Sequence, residues 1–385
     1  MTGGLHNAGC NENGEGAVKA TRIASLIGIV ISIPITQAHA QIKIGVAAPL
    51  TGTAQGLGEQ YQAGAQRAVA DINANGGLLG QQIVAIYVDD ACDPKQGEAA
   101  ARQLVSQGVV FVDGHVCSAA SLAASPIYEA AGIVMISVSS NPKFTEQGRS
   151  NVFRVAGRDD QQGAVAGDYL AKQYGKSKIA IISDGQAYGL GLAEETRKQL
   201  NRRGVTEVMF ENYAPDQADY SSLIEKLVNA KIDVLYAGGY ASDIALIMRL
   251  AKKKLPDLKL VSGDALNSDD FLLIAGEAGE GTYFTFGPDL RLRPEAAAIV
   301  AAYRTQDNFE PVGYTLYSYG AVQVWAQAVR QAGSLDLASV IGALHKGTFD
   351  TVFGKIGFDK KGDVTGISPW TWNVMGKKGY PAVNN

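Results

Sequence analysis

At 385 residues, 46% of them apolar and 19% charged, the chain is long and apolar enough to bury two domain-sized cores, which excludes a disordered protein. A formal net charge of -4 leaves no broad basic surface, so the sequence-independent attraction on which nucleic-acid binding rests has no source.

Residues 1–40 read as an export segment: basic Lys19 and Arg22, an apolar run from Ile23 to Ile35, then Ala38-His39-Ala40 ahead of Gln41, with cleavage expected near Ala40. The apolar run is shorter than the ~20 residues a membrane-spanning helix needs, and no later stretch approaches that length, so a soluble exported protein is expected. Cys10 leaves with this segment. Cys92 and Cys117 remain, and in an oxidising compartment a lone pair reads as a disulfide rather than a metal site.

From Ile42 onward, short β-branched runs alternate with helix-length amphipathic segments, the pattern of βαβ units building a parallel sheet. A strand over 42–48 leads through Pro49-Leu50-Thr51-Gly52 into a helix from about Gly58, which Asn75-Gly76-Gly77 stops. Strands at 83–88, 109–112 and 133–137 alternate with helices at 94–107 and 119–130. A second series starts near Gly157, with helices at 161–174, 190–203, 220–230 and 242–252 and strands at 179–183, 207–213, 234–237 and 259–262. Helices at 294–305 and 316–332 follow Phe286-Gly287-Pro288, too few elements for a third domain, so they are expected to pack back on the first. The predicted fold is α/β: two doubly wound parallel-sheet lobes, 41–157 with 288–366 and 158–287 with 367–385, joined by a hinge the chain crosses more than once. Clefts of that kind are where small ligands bind.

Motifs for chemistry are sparse. Gly189-Leu190-Gly191 lacks the third glycine and the downstream acid of a dinucleotide loop. Neither a P-loop nor a Gly-x-Ser-x-Gly elbow occurs, and His115 and His345 are the only histidines beyond the export segment, with no His, Cys, Asp or Glu cluster at metal spacing. No cofactor or enzyme activity is therefore expected. By itself Ser118 is a helix N-cap, Asp264 a loop acid or cap, and Tyr188, Tyr240 and Tyr314 are partly buried aromatics at element ends.

Four segments in order change that reading: Ala47-Ala48-Pro49-Leu50-Thr51-Gly52, Ala70-Asp71-Ile72-Asn73-Ala74-Asn75-Gly76-Gly77, Asp89-Asp90-Ala91-Cys92-Asp93-Pro94-Lys95-Gln96 and Gly114-His115-Val116-Cys117-Ser118. With Tyr188-Gly189-Leu190-Gly191, Gly238-Gly239-Tyr240 and the stretch 354–363, the chain resembles the periplasmic leucine, isoleucine and valine binding proteins of ATP-driven importers, type I of the periplasmic binding fold. The resemblance implies a Cys92–Cys117 disulfide, a periplasmic monomer that hands its ligand to an inner-membrane permease, and a site for the two charged ends of an amino acid. Ser118 would bind the carboxylate by hydroxyl and backbone N–H, where a helix N-terminus favours an anion. Ser140 would be a second carboxylate contact, with Ser139 offering its carbonyl to the ammonium. Asp264 would hold the ammonium, Tyr188 and Tyr240 would close over the ligand, and Leu57 and Tyr314 would line the side-chain pocket. Leu57 stands where some leucine binders have tyrosine. The alternative is a binder or sensor of amides, urea-like molecules, short-chain acids or γ-aminobutyrate on the same fold.

Overall fold

The structure, a computed structural model, describes residues 41–367, 370–376 and the strand 382–383; the export segment and its cleavage site lie outside the described residues. All described residues belong to one compact unit.

The first sheet contains β1 (Ile42–Ala48), β2 (Ile83–Asp89), β3 (Phe111–Gly114), β4 (Val134–Ser137) and β5 (Val152–Arg154), in the order β2-β1-β3-β4-β5 and parallel throughout. Helices α1 (Gln55–Ala74), α2 (Pro94–Ser106), α3 (Ser118–Ala130) and the single turn α4 (Lys143–Glu146) connect them. β1 is buried at every position but Lys43, as expected of a parallel strand covered by helices on both faces. Asp93 accepts hydrogen bonds from the backbone N–H groups of Lys95 and Gln96, which with Pro94 sets the start of α2.

The second sheet has the order β15-β14-β10-β9-β8-β6-β7. Its parallel part is β6 (Ile179–Ser183), β7 (Met209–Asn212), β8 (Val234–Gly238), β9 (Lys259–Ser262) and β10 (Tyr283–Phe286), joined by α6 (Ala187–Arg202), α7 (Ser221–Ala230), α8 (Ala241–Ala251) and α9 (Asp269–Ala275) after α5 (Asp159–Tyr174) leads into β6. The chain then returns to the first sheet. α10 (Ala297–Ala302) and α11 (Thr315–Ala332) follow, α11 packing along α1 and stacking Trp325 on Phe111 of β3 at 4.6 Å; α12 (Leu337–Lys346) packs on α11. Next comes a small antiparallel sheet of β11 (Phe349–Thr351), β12 (Gly354–Phe358) and β13 (Val364–Thr365). β14 (Thr371–Val374) finally crosses back to pair antiparallel with β10, and β15 (Ala382–Val383) pairs with β14.

The two doubly wound sheets match the predicted architecture, and α11 and α12 dock on the side of the first sheet. The second sheet is not purely parallel, because β14 and β15 extend it in the antiparallel sense. The predicted strand at 109–112 shifts to β3, and α1 begins at Gln55 rather than near Gly58. Among the described residues no helix is long and apolar enough to cross a membrane.

Candidate functional site

The C-terminal ends of the parallel strands deliver the candidate residues. β3 ends at Gly114, where a β-carbon would lie 2.1 Å from the carbonyl of Ala47; glycine lets the chain turn there against β1. The turn runs through His115 to Ser118, the first residue of α3. It is braced from within: His115 Nδ1 lies 2.6 Å from Asp90 Oδ2 and Nε2 3.0 Å from Tyr128 Oη, all buried. The Cys92–Cys117 disulfide ties the residue before Ser118 to the loop after β2. Ser118 is buried and faces the loop after β4, where the Asn141 N–H reaches its hydroxyl at 3.4 Å.

From the second sheet, β9 ends in Gly263-Asp264, and Asp264 is buried at a meeting point of three donors. Gln162 Nε2 donates to its Oδ1 at 2.9 Å and the Tyr188 hydroxyl to the same oxygen at 2.8 Å, while the Tyr314 hydroxyl donates to Oδ2. Burial pushes the Asp264 carboxyl above the ordinary range, against the pull of those donors. Tyr188, in the first turn of α6, packs its ring 5.3 Å from that of Tyr240, which precedes α8.

These groups surround one small cavity. Ser118, Ser140 and Leu57 from the first-sheet side meet Tyr188, Tyr240 and Asp264 from the second-sheet side, with Tyr314 from the start of α11. Its volume is about 10 Å³, room for about one water. The conformation is closed: Asn141 Nδ2 donates to the Ala187 carbonyl at 2.6 Å, Ser242 Oγ to the Thr53 carbonyl at 2.8 Å and Gln60 Nε2 to the Asn267 carbonyl at 2.9 Å. Each of these bonds joins elements that carry different sheets.

Ser139 lies between Val138 and Ser140, two residues of the cavity wall. Its side chain points away from the cavity toward Ser121 and the His115 carbonyl, and its own carbonyl accepts from Arg154 Nη1 at 2.8 Å. Arg154 is fully buried, also donates to the Asn141 carbonyl at 2.8 Å, and pairs with Asp363. The guanidinium thus fixes which way the loop faces, and Val138, rather than Ser139, joins Ser140 on the cavity wall.

Two residues that sequence reasoning missed are Gln162 and Asp159, both on the first turns of α5 and both fully buried. Asp159 lies within electrostatic reach of Asp264 and beside the hydroxyl of Ser140, yet among the described residues neither of its carboxylate oxygens meets hydrogen-bond geometry with a partner. Burial first, and the Asp264 charge second, push its carboxyl up. The pair Asp159-Asp160 at a helix start reads as ordinary dipole complementation. What could have singled out Asp159 is its place at the start of α5, directly after the crossing from β5. Among the described residues no group of His, Cys, Asp and Glu is placed to hold a metal ion.

Hydroxyls and a helix N-terminus on one side, with carboxylates on the other, suit a small zwitterion. Comparisons agree with that class of protein. The chain is 44% identical over 348 residues to a Leu/Ile/Val-binding protein homolog of Brucella abortus, covering 89% of this chain and 93% of the relative. It is 40% identical over 366 residues to an amino acid binding protein of Pseudomonas aeruginosa, covering 94% and 96%. Among solved structures, a leucine binding protein of Thermotoga maritima superposes with a TM-score of 0.81 at 26% identity, covering 89% of this chain and 98% of that one. The isoleucine complex of a branched-chain amino acid transporter substrate binding protein from Streptococcus pneumoniae gives 0.78 at 25%, covering 89% and 99%. The model of a family of binding proteins, not enzymes, described as periplasmic binding protein, matches residues 41–373, and the chain belongs to that family.

Proposed function

We propose that this chain is the periplasmic substrate-binding protein of an ATP-driven importer, and that it closes on a small neutral amino acid, branched-chain ones foremost. The observation that carries the reading is the meeting of Ser118 and Ser140 with Asp264 around one cavity whose walls come from both sheets. The names of the relatives, Leu/Ile/Val-binding and amino acid binding, support the same ligand class.

The lobes are 41–157 with 288–366 and 158–287 with 367–385. In the open form the amino acid meets the first lobe, its carboxylate taken by the hydroxyls of Ser118 and Ser140 and by the N–H groups that open α3. The second lobe then brings Asp264 to the ammonium, with Tyr188 and Tyr240 covering the ligand; closure about a hinge is the general behaviour of periplasmic binding proteins as a class. Leu57 and Tyr314 bound the side chain. Each CH₂ buried there adds about 0.8 kcal/mol, so selectivity among apolar side chains is graded rather than absolute. The space left in the closed conformation, about 10 Å³, means that a ligand is admitted only after the lobes part. After cleavage near Ala40 the protein works as a monomer and presents its closed form to an inner-membrane permease.

Titration calorimetry on refolded, ligand-stripped protein, with the twenty amino acids and γ-aminobutyrate, tests the reading. Leucine, isoleucine or valine should bind, and Asp264→Ala should abolish the binding. Silence toward every compound defeats it, and tight binding that survives Asp264→Ala favours an amide or short-chain acid as the ligand.

A further inference from the structure

The parallel strands of the second sheet have a second set of ends, opposite those that carry Asp264, and a cavity of about 560 Å³ opens there. Its walls are the segment between α5 and β6, the turn from α7 into β8 and the loop from α8 into β9. Four lysines, Lys176, Lys231, Lys254 and Lys259, stand against two carboxylates, Asp233 and Asp257, over an apolar lining that includes Leu255 and Leu258. Positive charge is therefore in excess here, in a chain whose formal net charge is -4. It is also available: among the described residues none of the four ammonium groups forms an ion pair or a hydrogen bond. Lys259 lies over the Tyr174 ring, 5.4 Å from its centroid, a contact that orients the cation without cancelling its charge. Asp233 is partly engaged already, accepting the Lys178 backbone N–H at 2.8 Å.

A lysine just beyond a helix is an ordinary complement to the helix dipole, which accounts for Lys176 and Lys254. It does not account for Lys259, which belongs to β9, or for the backbone of Lys231. Lys231 follows α7 at φ 53° and ψ 54°, the left-handed conformation that glycine takes at helix ends without strain. The chain thus holds a lysine where backbone energy favours glycine.

We propose that this cavity is a binding site for a phosphate-bearing anion. Lysine meets phosphate as a point charge, and the attraction grows with the charge of the anion, so a multiply charged phosphate is favoured over a carboxylate. The site lies at the other end of β9 from Asp264 and does not rest on the function proposed above.

A phosphate group can come from solution or from a lipid headgroup, so the probes are pyrophosphate and vesicles of phosphatidylglycerol, with phosphatidylcholine vesicles as the control. On the ligand-stripped protein, calorimetry should show pyrophosphate binding, which assigns a soluble phosphate; cosedimentation with phosphatidylglycerol vesicles alone assigns a headgroup. Lys231→Gly removes the charge and suits the backbone, and should weaken the binding by about threefold or more. Lys254→Gln, at an exposed position, should do the same and serves if the first variant does not fold. High salt should weaken the binding further, and saturating leucine should not displace either probe. Silence toward both probes, binding that survives both variants, an equal loss in Lys346→Gln at the end of α12, or displacement by leucine overturns the proposal.

Discussion

Asp264 and Asp159 are two buried carboxyls on one side of a closed site, and both are pushed upward by burial. Arg154 faces Asp159 with a positive charge; Asp160, Ser140 and the hydroxyls of Tyr188, Tyr236, Tyr240 and Tyr314 complete its charged and titratable surroundings. Without a ligand ammonium, burial disfavours the ionised form of both carboxyls, and the charge of Asp264 further disfavours that of Asp159. An arriving ammonium favours the ionised form of both, so amino-acid binding is expected to release protons, and affinity to rise with pH until the free protein's carboxyls are ionised. Calorimetry in buffers of different ionisation enthalpy measures the release. Asp159→Asn should reduce it, leaving the share of Asp264, while leucine stays bound through Asp264; unchanged release in that variant removes Asp159 from the account. Asp113 provides a separate residue-scale case, in the core between β3 and α11. Burial pushes its carboxyl up to about 8, with Ser318 Oγ donating to Oδ2 at 2.6 Å and Oδ1 outside hydrogen-bond geometry with any partner among the described residues. A folded pKa of about 8 above an unfolded one near 3.9 means that stability is full below about pH 4 and is lost as pH rises toward 8. Asp113→Asn should therefore flatten the dependence of melting temperature on pH between 5 and 9, by an amount equivalent to a few kcal/mol. Parallel curves for the two proteins would refute this.

At the scale of elements, the start of α3 depends on the disulfide. Cys92–Cys117 closes a separation of 25 residues, and the chain-entropy model assigns such a loop about 3 kcal/mol. Replacing both cysteines by serine should lower the unfolding free energy by about that amount in urea titrations, and should also weaken leucine binding because Ser118 follows Cys117 directly. Full affinity in the double variant would show that Asp90, His115 and Tyr128 hold the turn without the covalent link. The elements that carry the site are the ones most legible in the sequence. The parallel strands stand out as β-branched runs, and Asn75-Gly76-Gly77 marks the end of α1 with positive φ at both glycines. The C-terminal part of the chain is harder to read. β11, β12 and β13 are two to five residues long, and β14 pairs with a strand as distant in sequence as β10, so neither hydrophobic period nor local turn chemistry reveals them. The orientation of Ser139 eludes a sequence reading for a similar reason: a guanidinium fifteen residues away, on β5, decides which face of the loop looks into the cleft.

The whole molecule is held shut by contacts that do not touch the cavity. Asn141 reaches the Ala187 carbonyl at the start of α6, and Ser242, at the start of α8, reaches the Thr53 carbonyl ahead of α1. Neither Asn141 nor Ser242 lines the space between Ser118 and Asp264. These bonds therefore act only on the balance between open and closed forms, and the apparent affinity for ligand falls in proportion to the closed fraction. A neutral hydrogen bond at a partly wet rim contributes about 1 kcal/mol, close to a fivefold change in that balance. Asn141→Ala should weaken leucine binding by about three- to tenfold, chiefly through faster dissociation, since the bond exists only after closure. Stopped-flow fluorescence separates the two rate constants, and small-angle scattering of the unliganded protein should show a larger radius of gyration in the variant. A slower association rate with unchanged dissociation would mean that Asn141 acts on the open form, and closure would then have to be governed by the hinge segments alone.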